Sequence, residues 1–155
     1  MPLVADSNKT DGKMILGSLE ICNLPMLGIQ DLQVRIDTGA KTSSLHVDNL
    51  ERFKKAGKPW VRFDLHPEIY QIEKVIACET PLVDVRRIKS SNGTSEQRYI
   101  ISTEIQFGAK SWMIEISLSD RSDMTYLMLL GREGMRDQVI VDPSKTYAVN
   151  AASAD

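Results

Sequence analysis

Asp37-Thr38-Gly39-Ala40 follows directly on the alternating apolar stretch Leu32–Ile36, and far downstream comes Met128-Leu129-Leu130-Gly131-Arg132. An aspartate on a tight turn that closes a strand is held by backbone amides and a short hydroxyl neighbour, so its carboxylate is aimed rather than merely solvated. Gly39, with no Cβ, lets a substrate or another chain approach the backbone closely. An apolar strand running into Gly131-Arg132 is the kind of element that packs beneath such a turn and holds it still. Water activation by carboxylates needs two of them sharing one proton, because like charges that close cannot both ionise. The chain has one Asp-Thr-Gly and no second copy. The pattern therefore predicts a homodimer, with one Asp37 from each subunit meeting at a two-fold axis.

Taken alone, Asp-Thr-Gly is a turn signal, since all three residue types favour turns. The strand before it, Ala40 after it and the Leu-Leu-Gly-Arg element downstream raise it above that. With these segments in view the chain resembles the retropepsin-like aspartic proteases. More narrowly it resembles the bacterial family labelled ATP-dependent zinc proteases, often associated with ATP-grasp glutamate ligases. The resemblance is carried by Ile36–His46, Trp60–Phe63, Arg86–Gly93 and Leu118–Ser122 through Leu129–Arg132, and it spans nearly the whole chain after about Met14.

The resemblance implies an aspartic endopeptidase that uses no cofactor. Asp37 is its catalytic acid, Thr38 braces the pair across the two-fold axis and Gly39 leaves room for the substrate backbone. Leu130, Gly131 and Arg132 support the site, and Ala40 and Lys41 lie along the substrate. A covering hairpin is also implied, at Leu82–Phe107 with its tip at Ser90–Thr94, where Gly93 offers an amide to a substrate carbonyl. Retroviral members carry an acid after Asp-Thr-Gly-Ala where this chain has Lys41. Lys41 and Glu133 come near each other if the strand before Gly131 lies under the turn, although solvated surface charges are the plainer reading.

Arg86, Arg87, Lys89 and Arg98 surround the hairpin tip. Residues two apart on a strand share a face, so Arg87 and Lys89 point together and Arg86 oppositely. At least one arginine is then expected to face the cleft, where a guanidinium pairs with a carboxylate. This points to acidic or Glu-rich peptides; the plain alternative is that the cations keep an exposed hairpin soluble.

Zinc enters through the family label, and a zinc-dependent peptidase is the runner-up. His46 and His66 are the only histidines and neither lies in His-Glu-x-x-His, so no metal site is expected; a scattered set of His46, His66, Asp37 and a cysteine is the remaining possibility. No Gly-x-x-x-x-Gly-Lys-Ser/Thr occurs to cradle ATP phosphates. A third reading is a catalytically silent peptide-binding module that partners a glutamate ligase.

The elements that must position these residues are mostly strands. Expected strands are Met14–Ile21, the run ending at Asp37, Trp60–His66, Ile72–Cys78, the two hairpin arms, Ser111–Leu118, Met128–Leu130, Val139–Val141 and Thr146–Val149. Asn92-Gly93 is a hairpin signal. Asp48–Gly57 reads as a helix capped by Asp48 and stopped by Gly57, and Glu133–Asp137 as a helical turn. The class is all-β: a small closed or nearly closed retropepsin-like barrel with one or two short helices.

At 155 residues and 17.4 kDa the chain suits one domain. That domain is placed at 14–150, between a polar head, 1–13, and a small tail, 151–155. A net charge of −2, from 19 basic and 21 acidic residues interspersed, gives no field favouring nucleic acid or membrane. Two cysteines, Cys22 and Cys78, without a leader or an apolar span, predict a cytoplasmic protein with reduced thiols.

Overall fold

The computed structural model describes residues 11–66, 74–89, 93–120 and 126–149. The strands are β1 (Met14–Leu16), β2 (Leu19–Leu24), β3 (Ile29–Ile36), β4 (Ser43–His46), β5 (Asp48–Lys55), β6 (Lys58–Leu65), β7 (Ile76–Pro81), β8 (Asp84–Lys89), β9 (Ser95–Phe107), β10 (Lys110–Ser119), β11 (Met128–Leu130) and β12 (Val139–Val141). A short helix, α1 (Arg132–Met135), follows β11. The main sheet runs β10-β4-β11-β3-β2-β9-β8, and a further β10–β9 pairing closes its first six strands into a ring. This is the expected all-β barrel.

Period-two alternation builds the ring. In β3, Ile29, Leu32, Val34 and Ile36 turn inward; they meet Leu45, Ile105, Phe107, Ile116, Met128 and Leu130 in one buried core. β9 and β10 form a hairpin that turns at Gly108-Ala109, with Phe107 opposite Lys110. β11 lies between β3, to which it is parallel with Leu130 beside Ile36, and β4, to which it is antiparallel. β8 extends the sheet outside the ring, paired to the first half of β9 from Asp84 opposite Ile100 to Lys89 opposite Ser95. The expected hairpin is thus present; residues 90–92 of its tip lie outside the described residues.

Four expectations about elements are corrected. Asp48–Gly57 is no helix: β5 pairs with β6, Lys55 stands opposite Lys58, and Ala56 and Gly57 both take positive φ, 53° and 78°, as a two-residue hairpin turn requires. The helical spacing of Leu50 and Phe53 is coincidental, because on a strand they lie on opposite faces. Leu50 packs on the core and Phe53 stacks against Trp60. With β7 these strands form a separate three-stranded sheet. Its last strand begins at Ile76 rather than Ile72, and 72–73 lie outside the described residues. The expected first strand is two, β1 and β2, broken at Gly17-Ser18.

Thr146–Val149 is not a strand either. Tyr147 has φ 53°, and Ala148 and Val149 are helical. The cause is Glu20, fully buried on the inward face of β2, whose carboxylate accepts hydrogen bonds from the amides of Gly17 (2.7 Å), Ala148 (2.9 Å) and Val149 (3.3 Å). One buried acid thereby ties the end of the domain to its beginning. Removing it leaves those amides unpaired, and each orphaned buried donor is costly. Glu20→Ala should lower stability by about 3 kcal/mol in urea unfolding; a loss under about 0.5 kcal/mol would show that the tie carries no weight.

Candidate active site

The turn after β3 is gripped from below by the segment that leaves β11. The Asp37 amide donates to the Leu130 carbonyl (2.9 Å), the Arg132 amide to the Ala40 carbonyl (2.8 Å) and the Glu133 amide to the Lys41 carbonyl (3.1 Å). The Arg132 guanidinium adds a bond to the Thr38 carbonyl (2.9 Å). Gly131 donates its amide to Ser43 Oγ (2.9 Å), and the Ser117 hydroxyl fixes the Ser43 carbonyl (2.9 Å). Every backbone oxygen of the turn that could let it rotate is thus engaged from Thr38 to Lys41, except that of Gly39. Gly131 is the contact point: a Cβ there would lie 2.8 Å from the Thr42 carbonyl carbon and 3.0 Å from the Ala40 oxygen.

Held this way, Asp37 is half-buried and Thr38 and Gly39 are exposed. The Gly39 amide donates to Asp37 Oδ1 (2.9 Å), and Oδ2 carries no protein hydrogen bond among the described residues. One oxygen is therefore oriented and the other is open to water or a second acid. Beside the turn lies a cleft of about 580 Å³, walled by Gly39–Thr42 and Glu133 on one side and by Arg86–Lys89 of β8 on the other. Lys41 Nζ stands 3.7 Å from Glu133 Oε1, both exposed. Glu133, the one acid among the described residues that line the cleft, thus already has a cation beside it.

The residues singled out in the sequence separate into groups. Asp37, Thr38, Gly39, Ala40 and Lys41 are brought together with Leu130, Gly131 and Arg132. Arg86 and Arg87 line the cleft, but Arg86 is engaged elsewhere: Nε donates to Asp84 Oδ2 (2.8 Å) and Nη2 to Glu115 Oε1 (2.7 Å). These contacts push the Arg86 pKa up, Glu115 most of all, and hold that of Asp84 below the ordinary carboxylate value, chiefly through Arg86. Gly93 (φ 87°) and Arg98 do not line the cleft. Arg98 is mostly buried beside Glu96 Oε1 (2.6 Å) and borders a different depression, as does Asp120. Sequence reasoning missed Ser43, whose place within Lys41–His46 was its only signal, and Glu115, which had none.

His46 and His66 meet at Asp48, not Asp37: His66 Nδ1 is 2.8 Å from Asp48 Oδ2 and His46 Nε2 3.7 Å from Oδ1. Among the described residues no group of three or more His, Cys, Asp or Glu side chains is arranged to hold a metal ion. Both thiols are buried; burial pushes Cys22 up to about 12 and Cys78 up to about 11, the latter helped by the Asp64 carboxylate. Among the described residues no helix is long and apolar enough to cross a membrane.

A closed barrel with one Asp-Thr-Gly turn, a Leu-Leu-Gly-Arg element beneath it and a hairpin arm beside it defines the retropepsin-like class. Residues 15–151 match the RimB-like family, described as retropepsin-like aspartic endopeptidase RimB, and the chain belongs to that family. Relatives from Shewanella pealeana, Desulfotalea psychrophila and Parasynechococcus marenigrum, each named probable alpha-L-glutamate ligase, are 46%, 43% and 39% identical over 90%, 92% and 92% of this chain. The match spans only 31% of the length of each. A crystal structure of a Legionella pneumophila protein of unknown function superposes with a TM-score of 0.73 at 29% identity, covering 88% of this chain and 98% of that one.

Two outcomes follow from this geometry. Gly131→Ala should cost about 2 kcal/mol or more, because the new Cβ meets backbone that cannot move without shifting the turn; urea unfolding checks it. In the folded protein at neutral pH neither thiol should react with iodoacetamide, whereas both should in denaturant, as mass spectrometry would read.

Proposed function

We propose that this protein is an aspartic endopeptidase that works as a homodimer, activating water between two Asp37 carboxylates. The observation that carries the reading is the Asp37 turn itself: a carboxylate with one oxygen fixed by Gly39 and the other open, on a turn that cannot rotate, at the edge of a peptide-sized cleft. Family membership supports it. Among the described residues Glu133 is the one acid lining the cleft and it stands beside Lys41, while Asp120 borders another depression. A second copy is the natural source of the second carboxylate, and the exposed Thr38 and Gly39 are where it would meet the first.

The substrate class we favour is acidic, Glu-rich peptide. Lys89 has no acidic partner among the described residues, and Arg87 has only the Ser95 hydroxyl (3.4 Å). Two uncompensated cations on one cleft wall favour an anionic ligand. The relatives named as glutamate ligases, of which this domain matches about a third, support a functional link between this protein and a ligase of that kind.

Asp37→Asn should abolish peptide hydrolysis with no change in fold, since size and most hydrogen bonds are kept; activity near wild type would exclude the two-carboxylate reaction. Specific activity should fall on dilution in step with the dimer fraction seen by light scattering. Arg87→Ala should raise KM several-fold more for an acidic peptide than for a neutral one, with the gap closing at high salt.

A further inference from the structure

Among the described residues, β8 is the one strand of the main sheet outside the closed ring, and it pairs only with β9. It nevertheless forms a wall of the cleft. A two-stranded arm is marginal by itself, so the width of the cleft depends on what ties β8 back to the ring. At the base, the Val83 amide donates to the Ile100 carbonyl (2.9 Å) and the Leu82 amide to that of Pro59 (3.0 Å). Along the arm, among the described residues, Arg87 reaches only Ser95 of its own hairpin. Among the described residues, Val85 packs against the core, and Arg86 makes the one side-chain hydrogen bond from the arm to a ring strand other than β9, through Glu115 on β10.

We propose that Arg86 and Glu115 are a positioning pair that sets the β8 wall over the Asp37 turn, and so the fit of any peptide in the cleft. The planar guanidinium suits the task, because Nε and Nη2 hold two carboxylates at once in fixed geometry. Asp84 anchors the fork on its own strand and Glu115 anchors it on β10 of the ring (2.7 Å). With one cation between two acids, no free positive charge is left there for a substrate carboxylate. Arg86 therefore acts through the wall it holds and does not touch the peptide, while acid recognition falls to Arg87 and Lys89. The pairing of β8 to the ring is a property of the fold; its effect on peptide binding rests on the cleft being the substrate site.

The experiment uses the full chain carrying Asp37→Asn, so that binding is read without turnover. Glu115→Gln, Arg86→Gln and the double variant are compared for affinity to one acidic and one neutral peptide, and for hydrogen exchange of the β8 amides bonded to β9. Each single change should speed that exchange about fivefold and weaken both peptides by one common factor of similar size, in keeping with a partly exposed ion pair. The double variant should add nothing to either single. Tighter binding of the acidic peptide by Glu115→Gln would show that Arg86 had been freed to contact substrate, and would overturn the proposal. Unchanged exchange would overturn it as well. Faster exchange in a protein that binds neither peptide would leave the tie standing and instead overturn the endopeptidase reading.

Discussion

The structure depends on a short zip of hydrogen bonds between Asp37–Lys41 and Leu130–Glu133. An isolated turn of Asp, Thr and Gly has many accessible conformations, and an aspartate on it would simply be solvated. Here the amides of Asp37, Arg132 and Glu133, with the Arg132 guanidinium, fix the turn from two sides of the same strand end. Because Gly131 lacks a side chain, β11 can approach the Thr42 backbone closely enough to make that zip. The catalytic candidate is oriented by backbone geometry first and by side chains second.

Charge is arranged on a second level, around that fixed turn. Lys41 and Glu133 neutralise each other at the floor of the cleft, where the pair is too exposed to contribute much stability. Arg86 is enclosed by two carboxylates, whereas Arg87 and Lys89 are not. Cations only a residue or two apart thus have different roles, one structural and the others available to a ligand. Strand parity already separates Arg86 from Arg87 and Lys89 in the sequence, but it does not show which of them is engaged by carboxylates.

Much of the site was legible because it is local or strongly patterned. Asp37–Ala40 after an alternating strand, and an apolar strand ending in Gly131-Arg132, are both short-range signals, and the barrel followed from them and from strand alternation. What was not legible depends on contacts between distant residues. Asp48–Gly57 has helical spacing at Leu50 and Phe53 and a terminal glycine, but pairing with β6 overrides a weak local preference. Glu20 did leave a trace: it shares strand parity with Cys22 and Leu24, both buried, so period two alone puts a carboxylate inside the barrel. The tie from Arg86 to Glu115 joins residues 29 apart across a curled sheet and left none.

The zip also has a kinetic meaning. Thr38 and Arg132 are 94 residues apart, and β11 lies parallel to β3. The Gly39 bond to Asp37 is local, but the bonds that brace the turn from below cannot form until the intervening chain has been laid down, and closing so long a loop precedes any reward from the contacts it makes. The β5–β7 sheet and the β9–β10 hairpin are local and can assemble early. A nascent or damaged chain will therefore hold much of its β-structure while the Asp37 turn is still unbraced, so the candidate site is completed only when the barrel itself closes.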